Sequence, residues 1–385
     1  MESVFNRKAK YIMLQLSSRR SFLQTSALLP FGVGLLGGLP KAFGAETASP
    51  VPLIHVTDLY HPHDDPDDHF DLACVYSLAR QGMIDLKGVG IDYPHRQKGD
   101  PALVAVAQLN RICGLNVPAY VGSEVLPTKK DDTLPNLSKQ DTSLIRFLIE
   151  TLQKSDRPVA ITVVGAATDV VVAARREPEL FRTKCAGIYL NAGSAYLGKE
   201  NQLEWNVTLN PAAYAAMFDL SCPLYWFPCF HSTDGFKPGE WGTFYGLPHK
   251  RAFDGISTPT KTFFWYMFSQ SQDPQYLRLL KTAPPDAEWN KILEGSKGMW
   301  CTASFLLLAG LTATKSGKIV PLNQAGDDVL FRMEPVKVQC EDNGHLTWEL
   351  SKTETGCSLF HVLDVAAYAE AMTKAVNTLL IDLDK

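Results

Sequence analysis

From residue 50 onward, short continuous apolar runs alternate with stretches in which apolar positions recur every three or four residues. Pro52-Leu53-Ile54-His55-Val56-Thr57, closed by Asp58, predicts a buried strand. After a loop dense in acid and histidine, Phe70, Ala73, Cys74 and Leu78 recur at helical spacing, so a helix is predicted to open near Pro66-Asp67-Asp68. Strand, helix and strand follow at 86–91, 101–113 and 117–122, then a helix at 144–152. Val159-Ala160-Ile161-Thr162-Val163-Val164 is apolar enough for a central strand covered on both faces, and it leads through a small-residue turn into a helix ending at Arg176. Further strands are predicted at 185–190 and 224–230. This β-α-β rhythm predicts an α/β fold of Rossmann-like type, a mostly parallel sheet with helices on both faces. Residues 231–300 break the rhythm and are rich in aromatic residues, which predicts a helical insertion, either with a core of its own or acting as a lid whose rings stack on a flat ligand. A C-terminal β-hairpin around Asp342-Asn343-Gly344 and a closing amphipathic helix at 364–380 complete the pattern.

Composition adds little until the first 45 residues are set apart. The chain of 385 residues is 45% hydrophobic and 20% charged, ordinary for a globular protein. Residues 1–45 place Arg7, Lys8, Lys10, Arg19 and Arg20 before a glycine-interrupted apolar run, with small residues at Ala42, Gly44 and Ala45. Ser18-Arg19-Arg20-Ser21-Phe22-Leu23 resembles a twin-arginine export signal, which implies cleavage near Ala45 and a periplasmic domain over 46–385. Removing that segment, with six basic residues and one acidic, takes the formal net charge from −4 to −9. Such a surface offers no basic face for nucleic acid. No later stretch is apolar and long enough to span a bilayer. The substrate is therefore expected to be a small molecule, neutral or recruited through a metal, and a homo-oligomer stays open. The eight cysteines form no C-x-x-C pair and no zinc spacing; a chain that folds before export is as readily expected to keep free buried thiols, and if a disulfide forms, Cys340 and Cys357, flanking the hairpin, are the best candidates.

Chemistry concentrates in the first loop. Asp58, Asp64, Asp65, Asp67 and Asp68 fall within eleven residues with no lysine or arginine among them. Helix capping needs one or two acids, not five. Carboxylates at this density repel one another unless a cation sits among them, and hard oxygen donors favour calcium or magnesium. A transition metal held by His55, His61, His63 and nearby acids is the competing reading. Two further motifs follow the central strands: the turn Gly165-Ala166-Ala167-Thr168-Asp169, where small residues let backbone carbonyls approach a ligand, and Glu204-Trp205-Asn206 with Asn210-Pro211-Ala212-Ala213.

Taken in chain order, Thr57-Asp58, Asp67-Asp68, the 159–179 strand-turn-helix and Glu204-Trp205-Asn206 resemble the inosine–uridine-preferring nucleoside hydrolases. The resemblance implies hydrolysis of the N-glycosidic bond of a nucleoside or related riboside, with a bound Ca2+ and a metal-bound water as nucleophile. It further implies Asp58 as general base and metal ligand, with Asp68 and the backbone carbonyl of Val164 as further ligands. Asp67, Glu204 and Asn206 would hold sugar hydroxyls, with Asn191 or Asn201 as further candidates. The chain departs from the family in three places. Its first loop is longer, Asn210 replaces an acid, and Trp300-Cys301 stands where the family has His-Asp. Trp300 is therefore expected to stack on the ligand rather than donate to it, and either Asp64 or Asp65 replaces the missing ligand or the metal binds weakly. A non-hydrolytic sugar or nucleoside binder with a degenerate site is the alternative function.

Overall fold

The apolar runs become the strands of one sheet. The computed structural model describes residues 49–63, 65–92, 100–139, 141–198 and 203–385; the expected export signal, Asp64 and Asn201 lie outside the described residues. In chain order the principal elements are β1 (Val51–Thr57), α1 (Asp67–Arg80), β2 (Ile84–Ile91), α2 (Leu103–Cys113), β3 (Ala119–Val121), α3 (Ser143–Lys154), β4 (Val159–Val163), α4 (Thr168–Arg176), α5 (Pro178–Lys184), β5 (Cys185–Asn191), α6 (Trp205–Leu209), α7 (Pro211–Met217) and β6 (Leu224–Phe227). Then come β7 (Tyr245–Pro248), α8 (Thr258–Phe268), β8 (Ser296–Met299), α9 (Thr302–Leu308), β9 (Phe331–Cys340), β10 (Leu346–Leu350), β11 (Cys357–Val362) and α10 (Val365–Ile381).

The nine-stranded sheet runs β10-β9-β11-β6-β5-β4-β1-β2-β3. It is parallel from β3 through β11, and β9 and β10 add antiparallel at one edge. Both faces of the centre are covered, which is why β1 and β4 read as unbroken apolar runs. Along β1 the side chains divide by parity. Leu53 joins a core with α1, α2, α9 and α10, whereas Ile54 and Val56 join one with α3, α4 and α7.

Strand order places the site. The chain builds β1, β2 and β3 outward on one side, then returns to lay β4 on the other side of β1. Crossovers therefore diverge between the carboxyl ends of β1 and β4, leaving the crevice in which doubly wound folds bind ligands.

The insertion pairs β7 with β8 and packs its helices on α1. Most of its rings are core. Phe70 of α1 lies 4.5 Å from Phe264 and 5.3 Å from Phe253 between ring centroids. Phe236, in contact with Trp300 and with the buried Phe244, is the ring of the insertion that reaches the crevice. Of the two readings of the cysteines, the Cys340–Cys357 bridge is corrected and the reading as free thiols holds for all eight. Register is the reason. Ser358 pairs with Pro335, so Cys340 lies farther along β9 by on the order of 14 Å, beyond disulfide reach.

Candidate active site

Four chain segments meet at the switch point. β1 delivers Thr57 and Asp58. The Thr57 hydroxyl donates to Asp68 Oδ1 at 2.8 Å, tying the strand end to the first turn of α1. Pro66 caps α1 without a side-chain hydrogen bond, so Asp67 and Asp68 fill the first turn themselves, where backbone N–H groups favour their charge. β4 ends at Val164, whose N–H donates to Val56 O at 2.9 Å and whose carbonyl accepts from Asn206 Nδ2 at 3.0 Å. Gly165 is required beside it: a Cβ there would meet Asp58 N at 2.6 Å and Asp58 Cβ at 2.8 Å. Glu204 caps α6, accepting from Asn206 N at 2.9 Å and from Gly193 N at 2.8 Å. The fourth segment carries Trp300 and Cys301 at the start of α9.

These segments enclose a cleft of about 300 Å³, lined by Asp58, Asp67, Asp68, Val164, Glu204, Trp205 and Asn206 on its polar side and by Phe230, Phe236, Trp300, Cys229 and Cys301 elsewhere. Its electrostatics are those of an anionic cage. Burial, then the charges of Asp71 and Asp58, raise Asp67 well above the carboxylate range; burial, then Asp58 and Asp67, do the same to Asp68. Glu204 is pushed up to about 7 by burial, against the pull of the backbone donors Gly193, Asn206 and Val207. Asp71, one turn further along α1, is also pushed up to about 7, by burial and then Asp58, while the Cys301 thiol favours its charged form.

Of the residues singled out from sequence, Asp58, Asp67, Asp68, Val164, Glu204, Asn206 and Trp300 come together around this cleft. Asn191 does not line it. Fully buried, it accepts from Ser304 Oγ at 2.7 Å and donates to Trp300 O at 3.5 Å, so it braces the start of α9. Two of the histidines of the transition-metal reading sit in separate buried contacts. His55 bonds Thr162 Oγ1 at 2.9 Å within the sheet, and His63 Nε2 bonds Met267 O at 2.6 Å. Asp65 lies at the cleft but pairs with Lys297. Lys297 and Asp71 were not singled out from sequence. Lys297 pairs with Asp65 and lies 3.6 Å from Asp67 Oδ1, with its Nζ 5.7 Å from the Trp300 ring centroid.

The donor set fits a hard cation. Asp58, Asp67, Asp68 and the Val164 carbonyl offer oxygen, as calcium or magnesium requires. The sulfur donors do not suit a soft metal, because burial holds the Cys229 and Cys301 thiols well above their ordinary pKa and hence protonated. As they stand, no three His, Cys, Asp or Glu side chains among the described residues close around one point. Asp68 is turned to Thr57 and Asp67 toward Lys297.

The model of the inosine-uridine preferring nucleoside hydrolase family matches residues 63–272, more than half of the chain, and the chain belongs to that family. Among individual proteins it is similar to the pyrimidine-specific ribonucleoside hydrolase RihB of Escherichia coli, 24% identical over 173 residues that cover 40% of this chain. The matched stretch spans about half the length of that relative, 55%. Solved structures that align with it include the purine-preferring ribonucleoside hydrolase from Gardnerella vaginalis (15% identity, 86% of this chain and 99% of that one, TM-score 0.49). The inosine-uridine preferring nucleoside hydrolase from Bacillus anthracis aligns at 13% identity over 86% of this chain and 100% of that one, with a TM-score of 0.47. No helix among the described residues is long and apolar enough to cross a membrane.

Proposed function

We propose that the protein hydrolyses the N-glycosidic bond of a ribonucleoside or related riboside with calcium as its cofactor. The observation that carries this reading is the meeting of Asp58, Asp67, Asp68 and the Val164 carbonyl with Glu204 and Asn206 across one cleft at the switch point. Asp58, Asp68 and Val164 would hold the ion, which when bound supplies a Lewis acid that makes water a stronger acid at neutral pH. Asp58 then takes the proton of the attacking water. Asp67, Glu204 and Asn206 hold sugar hydroxyls and fix the ring. The surrounding carboxylates stabilise the positive charge that develops on the sugar as the bond to the base breaks. Trp300 and Phe236, in edge contact with centroids 5.8 Å apart, offer ring faces to the departing base.

The indole of Trp300 can donate an N–H but cannot cycle a proton near neutral pH. Leaving groups that depart without protonation are therefore favoured, and a p-nitrophenyl riboside should be cleaved faster than inosine. Incubating the calcium-loaded protein with a nucleoside panel and p-nitrophenyl riboside, with release of reducing sugar as readout, tests this. Asp58→Asn should lower kcat by about 10²- to 10⁴-fold, the usual worth of a general base. Efficient inosine hydrolysis would remove the leaving-group argument. Calcium-dependent riboside binding with no sugar release from any substrate would replace the hydrolase with a binder.

A further inference from the structure

We propose that Asp71, rather than residue 301, completes the cation site of this chain, its carboxylate entering from α1 where the Cys301 side chain offers only sulfur. The inference rests on the reading that the cleft binds a hard cation, and it assigns a ligand that the sequence motifs do not mark.

Three observations carry it. First, Asp71 follows Asp67 and Asp68 by four and three residues, so the three acids share one face of α1. Second, Asp71 is 1% exposed, and neither carboxylate oxygen has a hydrogen-bond partner among the described residues beyond the soft S–H of Cys301 beside it. Burying a carboxylate without donors is costly. Its neighbours along the helix are Phe70, Leu72, Ala73 and Cys74, all buried. Third, the Cys301 thiol that Asp71 touches lines the cleft together with Asp58, Asp67 and Asp68. The Asp71 oxygens, with no donor among the described residues but that thiol, therefore lie behind the cleft wall, at the place where the family resemblance implies an acid.

A protonated thiol is a poor ligand for calcium, which selects hard oxygen. A carboxylate reaching the same place from the opposite helix restores the oxygen that Cys301 lacks. Asp71 and Cys301 are then a compensating pair, one acid exchanged between two helices, and the exchange is testable by reversing it.

The experiment measures calcium binding to the full chain, first stripped with chelator, by equilibrium dialysis and by the calcium-induced shift in melting temperature. The proteins are wild type, Asp71→Asn, and the double variant Asp71→Asn with Cys301→Asp. Asp71→Asn should weaken calcium binding by at least the ~10- to 100-fold seen when the support of a metal site is lost. The double variant should bind within about threefold of wild type, because it moves the carboxylate without changing its number. In chelator, Asp71→Asn should melt above wild type, since a buried carboxyl whose only donor is a thiol has been removed; a purely structural acid bonded to Cys301 would give the opposite sign. If Asp71→Asn cannot be purified folded, Cys301→Asp alone replaces it. Two carboxylates at one place should lower its melting temperature in chelator and enlarge the calcium-induced shift beyond wild type. Unchanged affinity in Asp71→Asn, or loss that Cys301→Asp does not restore, overturns the assignment while leaving the cation reading intact. A wild-type chain that binds no calcium at millimolar concentration overturns both.

Discussion

Lys297 meets its acidic partners from 230 residues away in sequence, which is why no spacing in the chain pointed to it. Burial lowers its ammonium to about 8, in spite of the carboxylates of Asp65 and Asp67 beside it. At pH 7 the lysine is still mostly charged, and a positive charge near a cation site opposes loading. Lys297→Met should therefore tighten calcium binding at pH 7 by on the order of tenfold, the scale of a charge pair separated by several ångströms of partly wet protein. At pH 9.5 the wild-type lysine has lost its proton, so the gap between the two proteins should shrink. Dialysis at both pH values gives the answer. Equal affinities at pH 7 would make Lys297 one more screened ion pair of little consequence. The residues that could be read in advance, Asp58, Asp67, Asp68, Glu204 and Asn206, are those whose partners lie within a few residues of a strand end or helix start.

At the scale of elements, the site depends on how closely β1 and β4 approach where they part. Gly165 is the point of contact, since any Cβ would press on the backbone nitrogen of Asp58 rather than on a side chain free to turn away. Gly165→Ala should cost about 1–3 kcal/mol of stability, as overpacked positions do. It should also move Asp58 enough to lower calcium affinity, measured alongside urea denaturation. A variant with wild-type stability and affinity would mean that the turn yields without disturbing Asp58. The strands and most helices were legible because their apolar periodicity survives burial on both faces. Asp71 was not, for the same physical reason: α1 is covered all round, with every residue from His69 to Leu78 buried. An amphipathic reading assigns its one interior acid to a solvent face that this helix does not have. The aromatic tract could be read only as core or lid, because composition cannot separate rings that fill the core, such as Phe253 and Phe264, from those that face the cleft, such as Phe236.

For the whole molecule, burial of ionisable groups, both at the cleft and away from it, sets how stability responds to pH. Asp169 is buried, accepts from Ser123 N at 3.1 Å, and is raised to about 7; Glu204 reaches about 7 as well. Their ordinary value is about 4. The folded chain therefore holds protons that the unfolded chain has released, and each group withdraws stability as pH climbs from about 4 to about 7. His55 and His63 act with the opposite sign. Burial lowers them to about 3 and about 4, so they withdraw stability as pH falls below their ordinary 6.5. Between about 4 and 6.5 the two sets oppose each other. Above 6.5 the histidines are neutral in both states and the carboxylates act alone. In chelator, the free energy of unfolding should fall from pH 6.5 to about 7.5. Saturating calcium should flatten that fall, because it binds the folded chain and gains most where the cleft carboxylates are ionised. Urea titrations at half-unit steps of pH, with chelator and with calcium, measure both slopes. A free energy that rises with pH across this window in chelator would show that the buried acids have found donors or counter-charges in solution, and the anionic-cage description of the cleft would fall with it.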